Sequence, residues 1–123
     1  MPPEHPSPDG QYLLLLSFSE VRMSHWIDNP CLRVIKTDEV LFYAPSLWSA
    51  DLVEWSPESD FVYLSMRVYP GNKPSVELWL YPILRRGKAQ PGRFSATPDP
   101  GRLVEGTLAE VELYLENYGN ANF

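Results

Sequence analysis

The chain has 123 residues, is 44% hydrophobic and 13% aromatic, and carries a net charge of −6. That length supports one domain with a modest core, and the composition excludes a disordered chain. Apolar runs end well short of the ~18–20 residues that cross a bilayer, so no membrane association is expected.

Residues 1–60 hold ten acids against three bases, and residues 37–60 hold six acids and no base. Phosphate repulsion therefore disfavours direct nucleic-acid binding through this half. The charge reverses over residues 84–102, where Arg85, Arg86, Lys88, Arg93 and Arg102 oppose Asp99 alone. The start, MPPEHPSPDG, has neither a basic region nor an apolar stretch of the signal-peptide kind. The only cysteine, Cys31, reads as a small buried hydrophobe, and a chain without an intramolecular disulfide suits a cytoplasmic location.

Thirteen prolines spread along the chain exclude long helices over most of it and favour short strands with frequent turns. Residues 1–8 read as a loose tail. Residues 11–17, QYLLLLS, read as a central strand with two buried faces. Residues 19–27 read as a second strand, with Val21, Met23, His25 and Ile27 on one face and Glu20, Arg22, Ser24 and Trp26 on the other. The DNP at 28–30 reads as a break. Residues 31–36 and 40–43 form a hairpin around KTDE, with Asp38 supplying turn chemistry.

Residues 61–69 and 75–81 give the clearest pair of strands. Val62, Leu64, Met66 and Val68 alternate onto one face, as do Val76, Leu78 and Leu80 on the partner. The opposite face carries Phe61, Tyr63, Arg67, Tyr69, Glu77, Trp79 and Tyr81, and something is expected to cover part of it. Residues 84–106 read as loop-rich. TLAEVELYLENYG (107–119) has a capping box, with Thr107 as N-cap and Glu110 three residues on. Leu108, Val111, Leu115 and Tyr118 form a helical stripe, and Gly119 suits the position after the helix. This helix, over 107–118, is the candidate cover for an exposed sheet face.

SPDGQYLLLL (7–16) and SPESDFVYLS (56–65) align without gaps at an offset of 49 residues. Each reads Ser-Pro-acid, a Gly or Asp within the next two residues, then an aromatic and an apolar strand. CLRVIKTDEVLF (31–42) and SVELWLYPI (75–83) then occupy matching places, and WSPE (55–58) adds to the pattern. On these motifs residues 7–83 resemble two consecutive blade-like units of the TolB and WD40 type of β-propeller. The resemblance implies a mainly β fold (α+β): curved antiparallel sheet or sheets of two blade-like repeats, with one C-terminal helix. Closed propellers need at least four blades. Two units leave either one curved sheet sealed by the helix, which is favoured, or assembly between chains.

Chemistry has few candidates. His5 lies in the tail. Ser24 and His25 are adjacent in a strand and point to opposite faces, so no triad forms locally with Asp28. Metal-ligand spacing and phosphate-loop patterns are absent, and no cofactor or enzymatic activity is expected. Binding remains. In WSADLVEWSPESD (48–60), Trp55 is expected in the core and Trp48 as an exposed ring within an acidic rim. The expected partner-binding set is Trp26, Asp38, Glu39, Trp48, Asp51, Glu54 and Glu58. An acidic rim speeds encounter with a basic protein.

In size, acidity and lack of a catalytic motif the chain resembles the immunity proteins of bacterial polymorphic-toxin systems. That resemblance implies stoichiometric occlusion of a basic toxin or nuclease by a monomer or homodimer. A self-assembling β module and a small-ligand-binding protein are the alternatives.

Overall fold

The computed structural model describes residues 3–20, 26–45, 48–68, 75–91 and 104–121, apart from the side chains of residues 18–20, 26 and 118–121. Nine strands and one helix lie among the described residues. Strands β1 (Glu4–Pro6), β2 (Tyr12–Glu20), β3 (Trp26–Val34) and β4 (Val40–Tyr43) form one antiparallel sheet in that order. Strands β5 (Trp48–Trp55), β6 (Val62–Val68), β7 (Ser75–Tyr81), β8 (Arg86–Pro91) and β9 (Val104–Thr107) form a second. Helix α1 (Leu108–Ala121) follows β9 directly.

The fold is thus mainly β, with two sheets where one curved sheet was favoured. The two sheets share a single core. Leu14, Leu16, Leu32 and Phe42 of the first join Val62, Leu64, Met66, Val76, Leu78 and Leu80 of the second, all 2% exposed or less. Each such side chain contributes roughly 1.5–3 kcal/mol on burial, so face-to-face packing gains far more than joining two sheet edges would. Polar links fix the stack. Asn29 is buried, and its Nδ2 donates to the carbonyls of Pro45 (3.0 Å) and Trp48 (2.9 Å). The Asp28 N–H donates to Ser49 Oγ at 2.9 Å.

These bonds explain why Asp28-Asn29-Pro30 is no break. The three residues continue β3 opposite Phe18, Ser17 and Leu16, and the side chain of Asn29 is spent on the second sheet. The expected second strand is divided accordingly. β2 runs on to Glu20, β3 begins at Trp26, and His25 lies outside the described residues.

The N-terminal segment is no loose tail. The Ser-Pro-Asp-Gly turn folds Glu4–Pro6 back onto Leu13–Leu15, and Pro6 sits on an edge strand, where a missing N–H is tolerated. Residues 84–106 likewise contain β8 and β9. Their strands escape hydropathy because the inward positions of β8 are Gly87, Ala89 and Pro91, all buried. Small residues are needed there: a Cβ on Gly87 would lie 3.1 Å from Val111 Cγ2 of α1 and 3.2 Å from Leu80 Cδ2.

The capping box is present. Thr107 N–H donates to Glu110 Oε1 (3.0 Å), and Glu110 N–H donates to Thr107 Oγ1 (3.2 Å). Leu108, Val111 and Leu115 are buried as the stripe requires. Gly119 lies within the helix rather than after it, because α1 continues to Ala121.

Candidate functional site

The structure reverses two tryptophans. Trp48 is 1% exposed and its Nε1–H donates to the Leu115 carbonyl of α1 at 3.0 Å. It offers no ring to a partner. Trp55, expected in the core, is half-buried and donates from Nε1 to the His5 carbonyl at 2.7 Å. The cause is the helix: α1 packs beside the first sheet, on the aliphatic side of the second, and covers the Trp48 end of β5. Trp26 starts β3 opposite Glu20, and its side chain lies outside the described residues.

The expected carboxylates do not gather into one rim. Asp38 sits in the β3–β4 turn with a positive φ of 62° and lies 3.9 Å from Arg33. Beside it, Glu39 accepts two hydrogen bonds from Arg85, at 2.9 and 3.0 Å. The guanidinium holds the Glu39 carboxyl below the ordinary value. Asp51 occupies a bulge in β5 and pairs with Arg67 at 3.0 Å. Arg67 lies at the far end of β6 from Val62, next to which the Arg85 turn falls. Five residues of strand, roughly 17 Å, separate these ends. Glu54 and Glu58 are exposed and make no ion pair among the described residues.

The aromatic side of the second sheet is a more coherent surface. One transverse row runs through all five strands, Glu54–Tyr63–Trp79–Lys88–Glu105, each opposite the next. The Tyr63 and Trp79 rings lie 5.4 Å apart and tilted by 52°. Phe61 and Tyr81 repeat this arrangement at 5.6 Å, and Lys88 Nζ stands 5.6 Å from the Tyr81 ring. Such tilted pairs are favourable electrostatically as well as apolar.

Polar groups lock the rings. Tyr63 Oη donates to Glu77 Oε1 at 3.0 Å, and Gln90 Nε2 donates to Glu77 Oε2 at 2.9 Å. Burial, and then the Glu77 carboxylate, raise the Tyr63 phenol above its ordinary value, so it remains a donor at neutral pH. Lys88 lies 3.8 Å from Glu105. A cavity of about 260 Å³ opens beside Tyr81, Leu84, Arg86 and Lys88.

The helix does not cover this face, contrary to expectation. Leu108, Val111 and Leu115 are spent on the aliphatic side, leaving Tyr63, Trp79 and Tyr81 half-buried by their own neighbours. Lys88, Gln90 and Glu105 belong to the surface and were missed with their strands. The alternation of small and long residues in Arg86–Pro91 was the signal for them.

Among the described residues no three of His, Cys, Asp and Glu gather to hold a metal. Cys31 is buried, and desolvation raises its thiol above the ordinary value. No described helix is long and apolar enough to cross a membrane. No protein-family model, curated protein or solved structure matches the chain.

Proposed function

We propose that this chain is a non-catalytic protein-recognition module whose binding face is the aromatic side of the second sheet. The row Glu54–Tyr63–Trp79–Lys88–Glu105 carries the proposal. Trp and Tyr dominate binding hot spots because they bury large area at small entropic cost. Here the rings are already held by one another and by Glu77, so binding need not order them. Alternating charge along the row would set the register of a partner.

A photo-crosslinking amino acid at Ser65, which shares this face, tests the proposal in cells that make the protein. A protein adduct is expected from Ser65, abolished by Trp79→Ala and absent when the crosslinker replaces the exposed Leu113 of α1. No Trp79-dependent adduct at Ser65 would sink it.

A narrower form of the proposal makes the partner a basic toxin, occluded by an inhibitor of the immunity type. It draws support from the net charge of −6 and from exposed Glu54 and Glu58, whereas Glu39 and Asp51 are neutralised within the chain. Charge reversal of Glu54 and Glu58 together should then weaken capture and flatten its salt dependence.

A further inference from the structure

We infer that the occupant of the aromatic face is a second copy of this chain, docked head to tail so that two copies close a ring of four sheets. The inference rests on the proposal that this face recognises protein.

Its basis is an internal structural repeat. In the first turn Ser7 N–H donates to the Tyr12 carbonyl (2.8 Å), Gly10 N–H to the Ser7 carbonyl (2.9 Å), and Tyr12 N–H to Ser7 Oγ (3.0 Å). In the second, Ser56, Ser59 and Phe61 make the same three bonds at 2.9, 3.0 and 3.2 Å. Gly10 and Ser59, equivalent at the 49-residue offset, both have positive φ, 75° and 63°. β1–β4 and β5–β8 are therefore the same meander, made twice in the same order.

The strand registers carry the equivalence to the faces. Leu14–Leu32–Phe42 in the first sheet correspond to Tyr63–Trp79–Lys88 in the second. The first trio is buried against the second sheet, whereas the equivalent trio is the open aromatic face. On the other side, Leu64–Leu78–Ala89 are buried, and their equivalents on the outer face of the first sheet are Leu15, half-buried, Cys31, buried, and Tyr43, 52% exposed. That outer face also carries Leu13 and Arg33, half-buried, and Val40, which is 49% exposed.

The contact within the chain is thus heterologous, the front of one repeat on the back of the next. One front and one back remain unused. A heterologous contact repeated by rotation closes a ring when the rotation divides a full turn. Four is the smallest blade number of closed propellers, and two chains supply four sheets about a twofold axis.

Charge agrees with the pairing. On the unused back, Arg33 has a buried Nε with no hydrogen-bond partner among the described residues, and its Nη1 lies 3.9 Å from Asp38, which is 80% exposed. On the unused front, Glu54, Glu77 and Glu105 exceed Arg86 and Lys88 by one charge, while Arg67 is engaged by Asp51. The partly exposed Arg33 guanidinium would meet a small carboxylate excess.

Sedimentation of the purified chain tests this. A species of twice 14.1 kDa is expected. Trp79→Asp on the front and Val40→Asp on the back should each weaken it by about tenfold or more. Ser65→Arg repeats the front test without removing a ring, should Trp79→Asp impair folding. Mixing the front and back variants should recover a heterodimer through the one intact contact. A dimer broken by Trp79→Asp but indifferent to Val40→Asp would be front-to-front and would overturn the head-to-tail ring. A monomer whose Ser65 crosslinker captures a different protein would overturn the second copy and leave the recognition face standing. A monomer with no adduct would overturn both.

Discussion

The backbone N–H of Asp9 donates to Ser59 Oγ at 3.0 Å, joining the two Ser-Pro turns although 50 residues separate them. The bond ties the first strand pair of one sheet to that of the other at the same end. Trp55 adds a second tie, from the end of β5 to the His5 carbonyl of β1.

Ser59 should be sensitive to the identity of its replacement. It is 1% exposed, holds a φ of 63°, and its hydroxyl accepts the Asp9 bond. Ser59→Ala removes the acceptor and keeps the backbone strain, costing about 1 kcal/mol. Ser59→Gly also removes the acceptor but relieves the strain, as Gly10 does in the equivalent turn. Urea denaturation should rank wild type above Gly, and Gly above Ala.

Acid should destabilise the fold through three carboxylates. Asp9 is lowered by its hydrogen bonds from Ser7 and Gln11, Glu39 by Arg85, and Glu110 by Thr107. Each folded value lies below the ordinary one, so the stabilisation is fully present above the ordinary value and lost as pH falls through the folded one. Glu39→Gln should lower the urea midpoint at neutral pH, and the difference from wild type should shrink as pH falls below the ordinary carboxylate range. A midpoint difference unchanged by pH would show that the Arg85 pair contributes nothing.

Trp48 should behave as a core anchor. Trp48→Ala leaves a cavity and removes the Nε1 bond to the Leu115 carbonyl, at a cost of about 3–5 kcal/mol. Trp48→Phe keeps most of the ring volume and should cost less, dominated by the lost bond, about 1–2 kcal/mol. Unchanged denaturation midpoints in both variants would contradict the helix–strand contact.

Gly87 should resist enlargement. Its added methyl would meet Val111 and Leu80 side chains and the Trp79 carbonyl at 3.1, 3.2 and 3.3 Å. Gly87→Ala should destabilise by about 1–3 kcal/mol through displacement of α1. Val111→Ala in the same chain should recover part of that loss, which a double-mutant cycle would measure.

Elements with strong local signals were legible. Alternation placed Val62, Leu64, Met66 and Val76, Leu78, Leu80 on one buried face, and Thr107 with Glu110 marked the helix start. The Ser-Pro repeat marked equivalent turns. Segments whose chemistry is set by distant partners were not legible. Asn29 looked like a breaker because its acceptors, the Pro45 and Trp48 carbonyls, lie 16 and 19 residues away. Gly87 and Ala89 looked like loop because the helix that demands their smallness comes later in the chain.

The candidate surface divides in the same way. Sequence alone determined that β6 and β7 have an aliphatic and an aromatic side, because side chains alternate with a period of two whatever lies beyond them. It also marked two equivalent Ser-Pro turns, since turn chemistry is local. Only the tertiary structure decided which side is covered. Helix and first sheet both packed on the aliphatic side, burying Trp48 and leaving Tyr63, Trp79 and Tyr81 only half-buried. Coverage is settled by competition among elements for apolar area, and that competition is long-range.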